Sequence, residues 1–202
     1  MSAEDDDELR ELARRMKGED PDAFAALYRR TCDDVYRIAA LLIGRESEAA
    51  DIVHDVYIEL PAALRRYDDA RAFRPWLNGI VARQVRLWRR RRWRRQRLAD
   101  RLRTLTAGAA RGQGTGFAAP ADHTAAGPLD LADAVQTLPP KSREVVILRY
   151  YCDCSLDEIA AALGIPLGTV KSRLHAALRT LRTQFEPRAE SEEPGPWISN
   201  RS

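Results

Sequence analysis

The stretch Ser155–Arg182, SLDEIAAALGIPLGTVKSRLHAALRTLR, decides the fold of the C-terminal part of the chain. Ser155, followed three residues later by Glu158, predicts a capping box at the start of a helix. Gly164-Ile165-Pro166 predicts a turn. Apolar residues at helical spacing then predict a second helix from about Gly168 to Phe185. This order is typical of a helix-turn-helix, whose second helix lies in the major groove of DNA.

The two predicted helices divide into an apolar side and a side rich in hydrogen-bond donors. The core that they share is expected to contain Ile159, Leu163, Ile165, Val170 and Leu174. Ala160 and Gly164 would permit close approach of the helices. Donors suited to base edges and phosphates occupy the remaining face of the second helix, at Thr169, Lys171, Ser172, Arg173, His175 and Arg179. The alternative is a helical hairpin with an ordinary polar face.

Residues 129–185 are expected to form one small helical domain around this motif. A short helix beginning at Leu129 is predicted to stop at Pro139-Pro140, and another is predicted from Lys141 to Tyr151. The preceding residues 106–128 have glycines among alanines and threonines and no large apolar residue except Phe117, which predicts a flexible linker. Residues 186–202 are charged and proline-containing, which predicts a disordered tail.

Residues 20–105 are expected to form a second helical domain, preceded by an acidic N-terminal extension at 1–19. One helix is predicted over Asp22–Ile43, with Asp20 or Asp22 near its cap and Gly44 at its end. The next runs from about Ser47, with a kink or restart at Pro61. A third begins near Arg71. No strand is predicted, so the fold class is all-α: two small helical domains joined by a flexible linker.

Arginine is concentrated in the third helix of this domain. Eleven arginines fall between positions 83 and 103, and such a segment attracts phosphate. Trp88 and Trp93 lie among them, and aromatic faces stack on unpaired bases while arginines hold the backbone. A solvated helical face is the alternative for the arginines. Phe73 and Trp76 are alternatively core residues, whereas Trp88 and Trp93 are expected to be partly exposed.

An acidic ridge follows the second helix. Asp51, Asp55 and Glu59 recur every four residues on the side opposite the apolar stripe. Such a ridge is either a solvated surface or a docking surface for a protein, because it would repel DNA phosphate.

Composition argues against several classes of protein. Of 202 residues 45% are hydrophobic, no apolar run is long enough to span a membrane, and the acidic N-terminus is unlike a signal peptide. A cytoplasmic protein without membrane insertion is therefore expected. The cysteines Cys32, Cys152 and Cys154 suit a reducing compartment, and they lack the partners of a metal site. No catalytic motif emerges, so we expect neither an enzyme nor a cofactor.

At this point the residues match a known family. DPDAFAALYRRTCDDVYRIAALLIGRESEAADIVHDVYIEL, with the later FRPWLNGIV, resembles region 2 of extracytoplasmic-function sigma factors. LPPKSREVVILRYYCDCSLDEIAAALGIPLGTVKSRLHAALRTLR resembles their region 4, and the GTVKSRLHAAL stretch is very specific. The resemblance implies a sigma factor that binds core RNA polymerase and directs promoter recognition and transcription initiation. It also implies two helical domains joined by a linker too short to hold a third.

The resemblance implies roles for particular residues. The ridge, with His54 added to Asp51, Asp55 and Glu59, would face the coiled coil of the polymerase's largest subunit, and the polymerase flap would be a further contact. The last helix would read the upstream promoter element. The residues implied in binding or melting the downstream element are Arg65, Arg66, Tyr67, Phe73, Trp76, Arg83, Arg86, Arg89 and Arg90.

One departure from the family pattern affects the downstream element. The family usually has Asn seven residues after the Trp of FRPWL and Asp four residues later, and this chain has Arg83 and Leu87 there. The downstream specificity therefore does not follow by analogy.

Two other functions stay open at this point. One is a helix-turn-helix regulator that never becomes a polymerase subunit, and the other is an RNA-binding protein that uses the arginine-rich helix. Addition of the chain to core polymerase would distinguish them, because only a sigma factor yields promoter-specific transcripts. The sequence leaves open the promoter sequence, the inducing signal and whether an anti-sigma protein restrains the chain.

Overall fold

The computed structural model describes residues 3–107 and 131–185, and every regular element within these ranges is helical, as the sequence predicts. None of these helices is long and apolar enough to span a membrane. The α-helices are α1 (Ala3–Lys17), α2 (Pro21–Ile43), α3 (Ala49–Leu64), α4 (Phe73–Ala107), α5 (Leu131–Thr137), α6 (Pro140–Val146), α7 (Leu156–Leu163) and α8 (Leu167–Phe185).

Two short elements complete the chain trace. A 3₁₀ turn, Glu46–Glu48, precedes α3, and a π-helical turn, Ile147–Tyr151, continues α6. Thr106 and Ala107, assigned to the predicted linker, belong to the last turn of α4. The other predicted linker residues, 108–128, and the predicted tail, 186–202, lie outside the described residues.

The ends of α2 follow from local sequence signals. The Asp20 carboxylate accepts a hydrogen bond from the Asp22 N–H at 3.0 Å, so Asp20 is the N-cap, and Pro21 occupies the first turn. Gly44 ends the helix with φ of 75°, a left-handed conformation that glycine adopts without a steric cost. The predicted helix over 22–43 is thus confirmed to within one residue.

Pro61 does not restart α3, contrary to one of the two outcomes expected from the sequence. The helix is continuous from Ala49 to Leu64, with Pro61 inside it. Pro61 has no backbone N–H, so the helix loses one hydrogen-bond donor. The loss falls near the C-terminal end of α3, where few backbone hydrogen bonds of the helix follow. Because α3 ends three residues later, its apolar stripe remains on one face, where Ile52, Val56 and Leu60 are buried.

The acidic N-terminus folds into α1, an element that the sequence analysis did not predict. Leu9, Leu12 and Ala13 are buried against the first domain. The Asp6 carboxylate accepts hydrogen bonds from the backbone N–H groups of Phe73 (3.0 Å) and Arg74 (2.9 Å). These are two of the N–H groups at the start of α4 that lack a partner within their own helix. Asp6 therefore caps α4.

We expect Asp6→Ala to lower the free energy of unfolding by about 1–2 kcal/mol, because it removes a helix cap and leaves two half-buried donors without this partner. Urea denaturation measured by circular dichroism would test this. Asp7→Ala is the matched control, since the Asp7 side chain is 62% exposed and pairs only across one turn, with Arg10. Equal stability of the two variants would show that the cap contributes nothing.

The helix-turn-helix forms as the sequence predicts, but the physical reason for Gly164 in its turn differs from the expected one. Ser155 Oγ accepts from the Glu158 N–H at 3.2 Å, and the Glu158 carboxylate accepts from the Ser155 N–H at 2.7 Å, which completes the capping box. Gly164 was expected to allow close approach of the helices. Nothing lies within 4 Å of the position of a Cβ there, and φ is 64°. Glycine is therefore favoured at this turn by its left-handed backbone.

The two helical domains pack together through one continuous core. Val145, Leu148, Ile159 and Leu163 from the second domain join the buried residues of α1–α4. A smaller cluster of Ala134, Leu138, Val146, Ala177 and Leu181 holds α5, α6 and α8 together. Leu131, the first residue of α5, is 62% exposed. We call the contact surface between the two domains the seam.

Candidate nucleic-acid and polymerase interface

Helix α8 presents most of its predicted DNA-contacting face to solvent. Val170, Ala177 and Leu181 are buried on one side of the helix, which fixes its rotation. The opposite side therefore faces outward. The predicted donors that are exposed there are Lys171, Ser172, His175 and Arg179.

Thr169 and Arg173 are half-buried, unlike the other predicted donors of α8. Arg173 lies close enough to the Glu144 carboxylate for its charge to lower the pKa of that group. Arg173 is therefore partly covered within its own domain, where α6 packs against α8. Its contact with a base stays a prediction.

Glu144 of α6 is buried at the seam opposite two arginines of α4. Its carboxylate lies 3.9 Å from Arg86 Nη1 and 3.5 Å from Arg89 Nη1. Burial raises the pKa of Glu144, although the charges of Arg86 and Arg89 act in the opposite direction. Burial also lowers the pKa of Arg89. Two of the predicted downstream DNA contacts are therefore engaged with the second domain.

The acidic ridge is only partly open to solvent. Asp51 and His54 are exposed, whereas Asp55 Oδ2 lies 3.0 Å from Arg91 Nη1. Glu59 lies 2.6 Å from Arg83 Nη1 and accepts a hydrogen bond from the Gln84 amide. The same helix that carries the arginine cluster thus lies along one side of the ridge.

Two of the aromatic residues predicted to bind DNA are core residues in this conformation. Phe73 is fully buried and Tyr67 is 4% exposed, and their rings meet edge to face with centroids 5.4 Å apart. Trp76 is half-buried, with its centroid 4.6 Å from that of Tyr67. Burial raises the pKa of Tyr67 to about 12. Neither Tyr67 nor Phe73 offers a ring face to a base here, because the core already covers it.

Arg65 and Arg66, in the loop before α4, are exposed, and so are Arg83 and Arg90 on α4. Their positions leave them available to phosphate, apart from the pairing of Arg83 with Glu59. Contact of these residues with downstream DNA stays a prediction.

Trp88 and Trp93 are partly exposed, as predicted. Trp93 is 56% exposed, and the Arg97 guanidinium lies 4.1 Å from its ring centroid. Trp88 is half-buried, with Arg92 at 5.4 Å. A guanidinium near the ring is an arrangement that also suits the stacking of nucleic-acid bases.

The cysteines of the second domain are packing residues at the seam. Cys154 is 2% exposed, and burial raises the pKa of its thiol to about 11. Burial likewise raises the pKa of the Cys152 thiol. Thiols of this kind are poorly reactive. Within residues 3–107 and 131–185, no group of three or more His, Cys, Asp or Glu side chains could hold a metal ion.

Two relatives are similar to this chain, one over most of its length and one over a short segment. The ECF RNA polymerase sigma factor SigW of Bacillus subtilis (strain 168) is 29% identical over 181 residues, which is 88% of this chain and 96% of that protein. The RNA polymerase sigma-E factor of Streptomyces antibioticus is 53% identical over 58 residues, but this match spans only 29% of this chain and 32% of that factor.

Solved structures share the arrangement of helices. CnrH in complex with the cytosolic domain of CnrY superposes with a TM-score of 0.59 and 26% identity, covering 87% of this chain and 95% of CnrH. RpoE in complex with the anti-sigma factor NepR, from Bartonella quintana, has a TM-score of 0.52 and 22% identity, covering 82% and 98%, and supports the fold.

Family matches cover both domains. Residues 27–95 match Sigma-70 region 2 and residues 129–181 match Sigma-70, region 4, and together they exceed half of the chain. These ranges contain the acidic ridge, most of the arginine cluster and the helix-turn-helix. The chain therefore belongs to the sigma-70 family and is a sigma factor of the extracytoplasmic-function type, which binds core RNA polymerase and directs promoter recognition and transcription initiation.

Proposed function

We propose that the second domain reads the upstream promoter element through the exposed face of α8. The observation that carries this proposal is the rotation of α8. Burial of Val170, Ala177 and Leu181 leaves the donor-rich side facing outward. Lys171 and His175 lie in the N-terminal half of α8, where a recognition helix contacts base edges, and Arg179 lies one turn after His175, where a contact with phosphate is expected.

We expect Lys171→Ala to weaken binding of the upstream element by about 1–3 kcal/mol, the cost of losing one good base contact. Arg179→Ala should act on phosphate and lower the salt slope of binding by about one. Thr180→Ala is the matched control, because Thr180 is exposed on the other side of α8. Fluorescence anisotropy with a labelled duplex at several salt concentrations measures all three. An unchanged affinity of Lys171→Ala would mean that the orientation of α8 on DNA is different.

The proposed contacts of the first domain are the acidic ridge for polymerase and α4 with its preceding loop for the downstream element. Exposure of Asp51 and His54 on the ridge, and of Arg65 and Arg66 in the loop before α4, supports this division, because an acidic surface suits a protein partner whereas a basic one suits DNA phosphate. Asp55 and Glu59 belong to the same ridge. Both oxygens of Glu59 are engaged, by Arg83 and Gln84, whereas the Asp55 side chain, paired with Arg91, remains 37% exposed.

Arg83 supports an altered specificity for the downstream element. It stands where the family usually has Asn, and it pairs with Glu59 at 2.6 Å. Leu87, which stands where the family usually has Asp, is half-buried. Because an arginine and a leucine replace two short polar side chains, we propose that this chain recognises a different downstream base from most relatives.

Reconstitution with core polymerase tests the proposed function as a whole. The purified chain should yield transcripts from a defined set of genomic fragments, and sequencing the fragments bound by the holoenzyme would reveal both promoter elements. Duplex binding that requires another sigma factor for transcription would favour a regulator. Binding to RNA without promoter preference would favour an RNA-binding protein.

Sigma factors are non-enzymatic initiation factors. We propose that this chain likewise has no catalytic activity and acts in the cytoplasm, where polymerase and promoters are. An anti-sigma protein is a proposed partner, since CnrH and RpoE of similar fold were solved with a partner protein bound.

A further inference from the structure

Lys17, the last residue of α1, holds the loop that joins α3 to α4. We call this loop, residues 65–72, the downstream loop, because the downstream promoter element is its proposed ligand. Lys17 Nζ donates a hydrogen bond to the Tyr67 carbonyl oxygen at 2.8 Å and lies 2.7 Å from Asp69 Oδ1. The same ammonium group lies 5.3 Å from the centroid of the Tyr67 ring. Charge-assisted hydrogen bonds are stronger than neutral ones, so Lys17 fixes the path of the loop between Tyr67 and Asp69.

Asp6 holds the far end of the downstream loop from the same helix. Its carboxylate accepts from the first two N–H groups of α4, which directly follow the loop. Asp6 and Lys17 are separated by about three helical turns, or roughly 16 Å, so both side chains lie on one face of α1. Ala13 lies between them on this face and is fully buried. One docked helix therefore fixes both ends of the loop.

The buried ring of Tyr67 closes the downstream loop from within. The Tyr67 hydroxyl donates to the Arg71 carbonyl oxygen at 2.5 Å, and the ring is 4% exposed. The charged side chains that the loop exposes are Arg65, Arg66, Asp68 and Arg71. Because Tyr67 and α1 hold the loop on its inner side, they determine where these exposed side chains lie.

Discrimination between bases depends on such a fixed loop. A loop that is ordered before contact loses little conformational entropy on binding, whereas a mobile loop adjusts its side chains to more than one base. The match to Sigma-70 region 2 begins at residue 27, after the end of α1. The helix that orders the downstream loop therefore lies outside the part of the first domain that matches the family.

We propose that α1 is a positioning element for downstream recognition: Lys17 and Asp6 hold the downstream loop in the shape that discriminates between bases. The inference rests on the proposed contact of this loop with the downstream element. Lys17 and Asp6 act through the loop rather than on DNA. Loss of either anchor should therefore reduce base preference and spare polymerase association and upstream binding, which are proposed for α3 and α8.

Lys17→Met in the full-length chain, reconstituted with core polymerase, tests the inference. Methionine keeps a long side chain but has neither a donor for the Tyr67 carbonyl nor a charge for Asp69. The templates are a promoter selected by the parent holoenzyme and copies of it with one downstream base pair changed at a time. Permanganate reactivity of unpaired thymines measures the rate of opening. At the base pair that the parent discriminates most strongly, we expect discrimination to fall about tenfold, as for the loss of one good base contact.

Three further variants separate positioning from a general effect of charge or stability. Arg14→Met removes a cation from the same helix, and it should leave base discrimination unchanged, because the Arg14 side chain is 50% exposed and pairs across one turn with Glu11. Lys17→Arg restores a cation with several donors and should restore most of the discrimination. Asp6→Ala, assayed where the chain is folded, should lower discrimination in the same direction as Lys17→Met.

Unchanged base discrimination by Lys17→Met overturns the inference. An equal loss of opening on every template overturns it too, because a phosphate contact or a purely structural role would act on all bases alike. The double variant Arg65→Ala, Arg66→Ala distinguishes this failure from failure of the proposed function. Weaker opening by the double variant keeps the loop contact even when the inference fails. Normal opening by the double variant contradicts the loop contact, and the inference fails with it.

Discussion

Phe73→Ala should lower the free energy of unfolding by about 3–5 kcal/mol, the usual cost of emptying the space of a fully buried phenyl ring. Phe73 has no exposed surface, and its ring contacts those of Tyr67 and Trp76, each with its centroid 5.4 Å away. It is also the first residue of α4, where its N–H is capped by Asp6. Urea unfolding measured by circular dichroism gives the change directly.

The control for this variant is Trp93→Ala, an aromatic residue that is 56% exposed on the same helix. It should cost less than about 1 kcal/mol, because little buried area is lost. Normal stability of Phe73→Ala, accompanied by loss of promoter melting, would show that the ring leaves the core to contact a base. That outcome would restore the role that the family resemblance implies for Phe73.

Local signals in the sequence were sufficient for the helix-turn-helix. The capping box of Ser155 and Glu158, the turn at Gly164 and the apolar spacing that follows act within a few residues of each other. Interactions between residues so close in the chain can be inferred from the sequence alone. The same holds for Asp20 and Gly44 at the two ends of α2.

Helix α1 was missed although a signal for it exists. Leu9, Leu12, Ala13 and Met16 follow helical spacing, and the first three are buried. The run of acidic residues before them indicated a solvated extension instead. Asp6 caps a helix that begins 67 residues later, and no local pattern indicates such a partner.

The seam could not be predicted for the same physical reason. A Cβ at Gly79 would lie 2.7 Å from the Ala162 carbonyl oxygen, so the need for glycine there depends on the packing of α7 against α4. Glu144 resembles an ordinary surface residue in the sequence, and only the fold places it beside Arg86 and Arg89. The arginine cluster gave a correct expectation of positive charge on one helix. Its pairing with carboxylates of α3 depends on how α3 and α4 cross, which composition does not reveal.

The acidic ridge offers the sharpest test of polymerase docking. Asp55→Lys is expected to weaken association with core polymerase roughly a hundredfold, because reversal of a charge at an interface both removes an attraction and adds a repulsion. The new cation would lie beside Arg91, now 3.0 Å from the carboxylate, in a cleft that Arg92 and Arg95 also line. The ridge would become locally positive. Titration of labelled core polymerase with each variant measures the effect.

Arg91→Ala separates docking from pairing within the chain. It removes the same ion pair with Asp55 but leaves the ridge acidic, so it should associate with polymerase nearly as well as the parent chain. Both variants should bind the upstream duplex normally, since α8 lies in the other domain. Equal losses of polymerase affinity in both variants would mean that the ion pair acts by holding α4 on α3. Normal association of Asp55→Lys with polymerase would mean that the ridge is only a solvated surface.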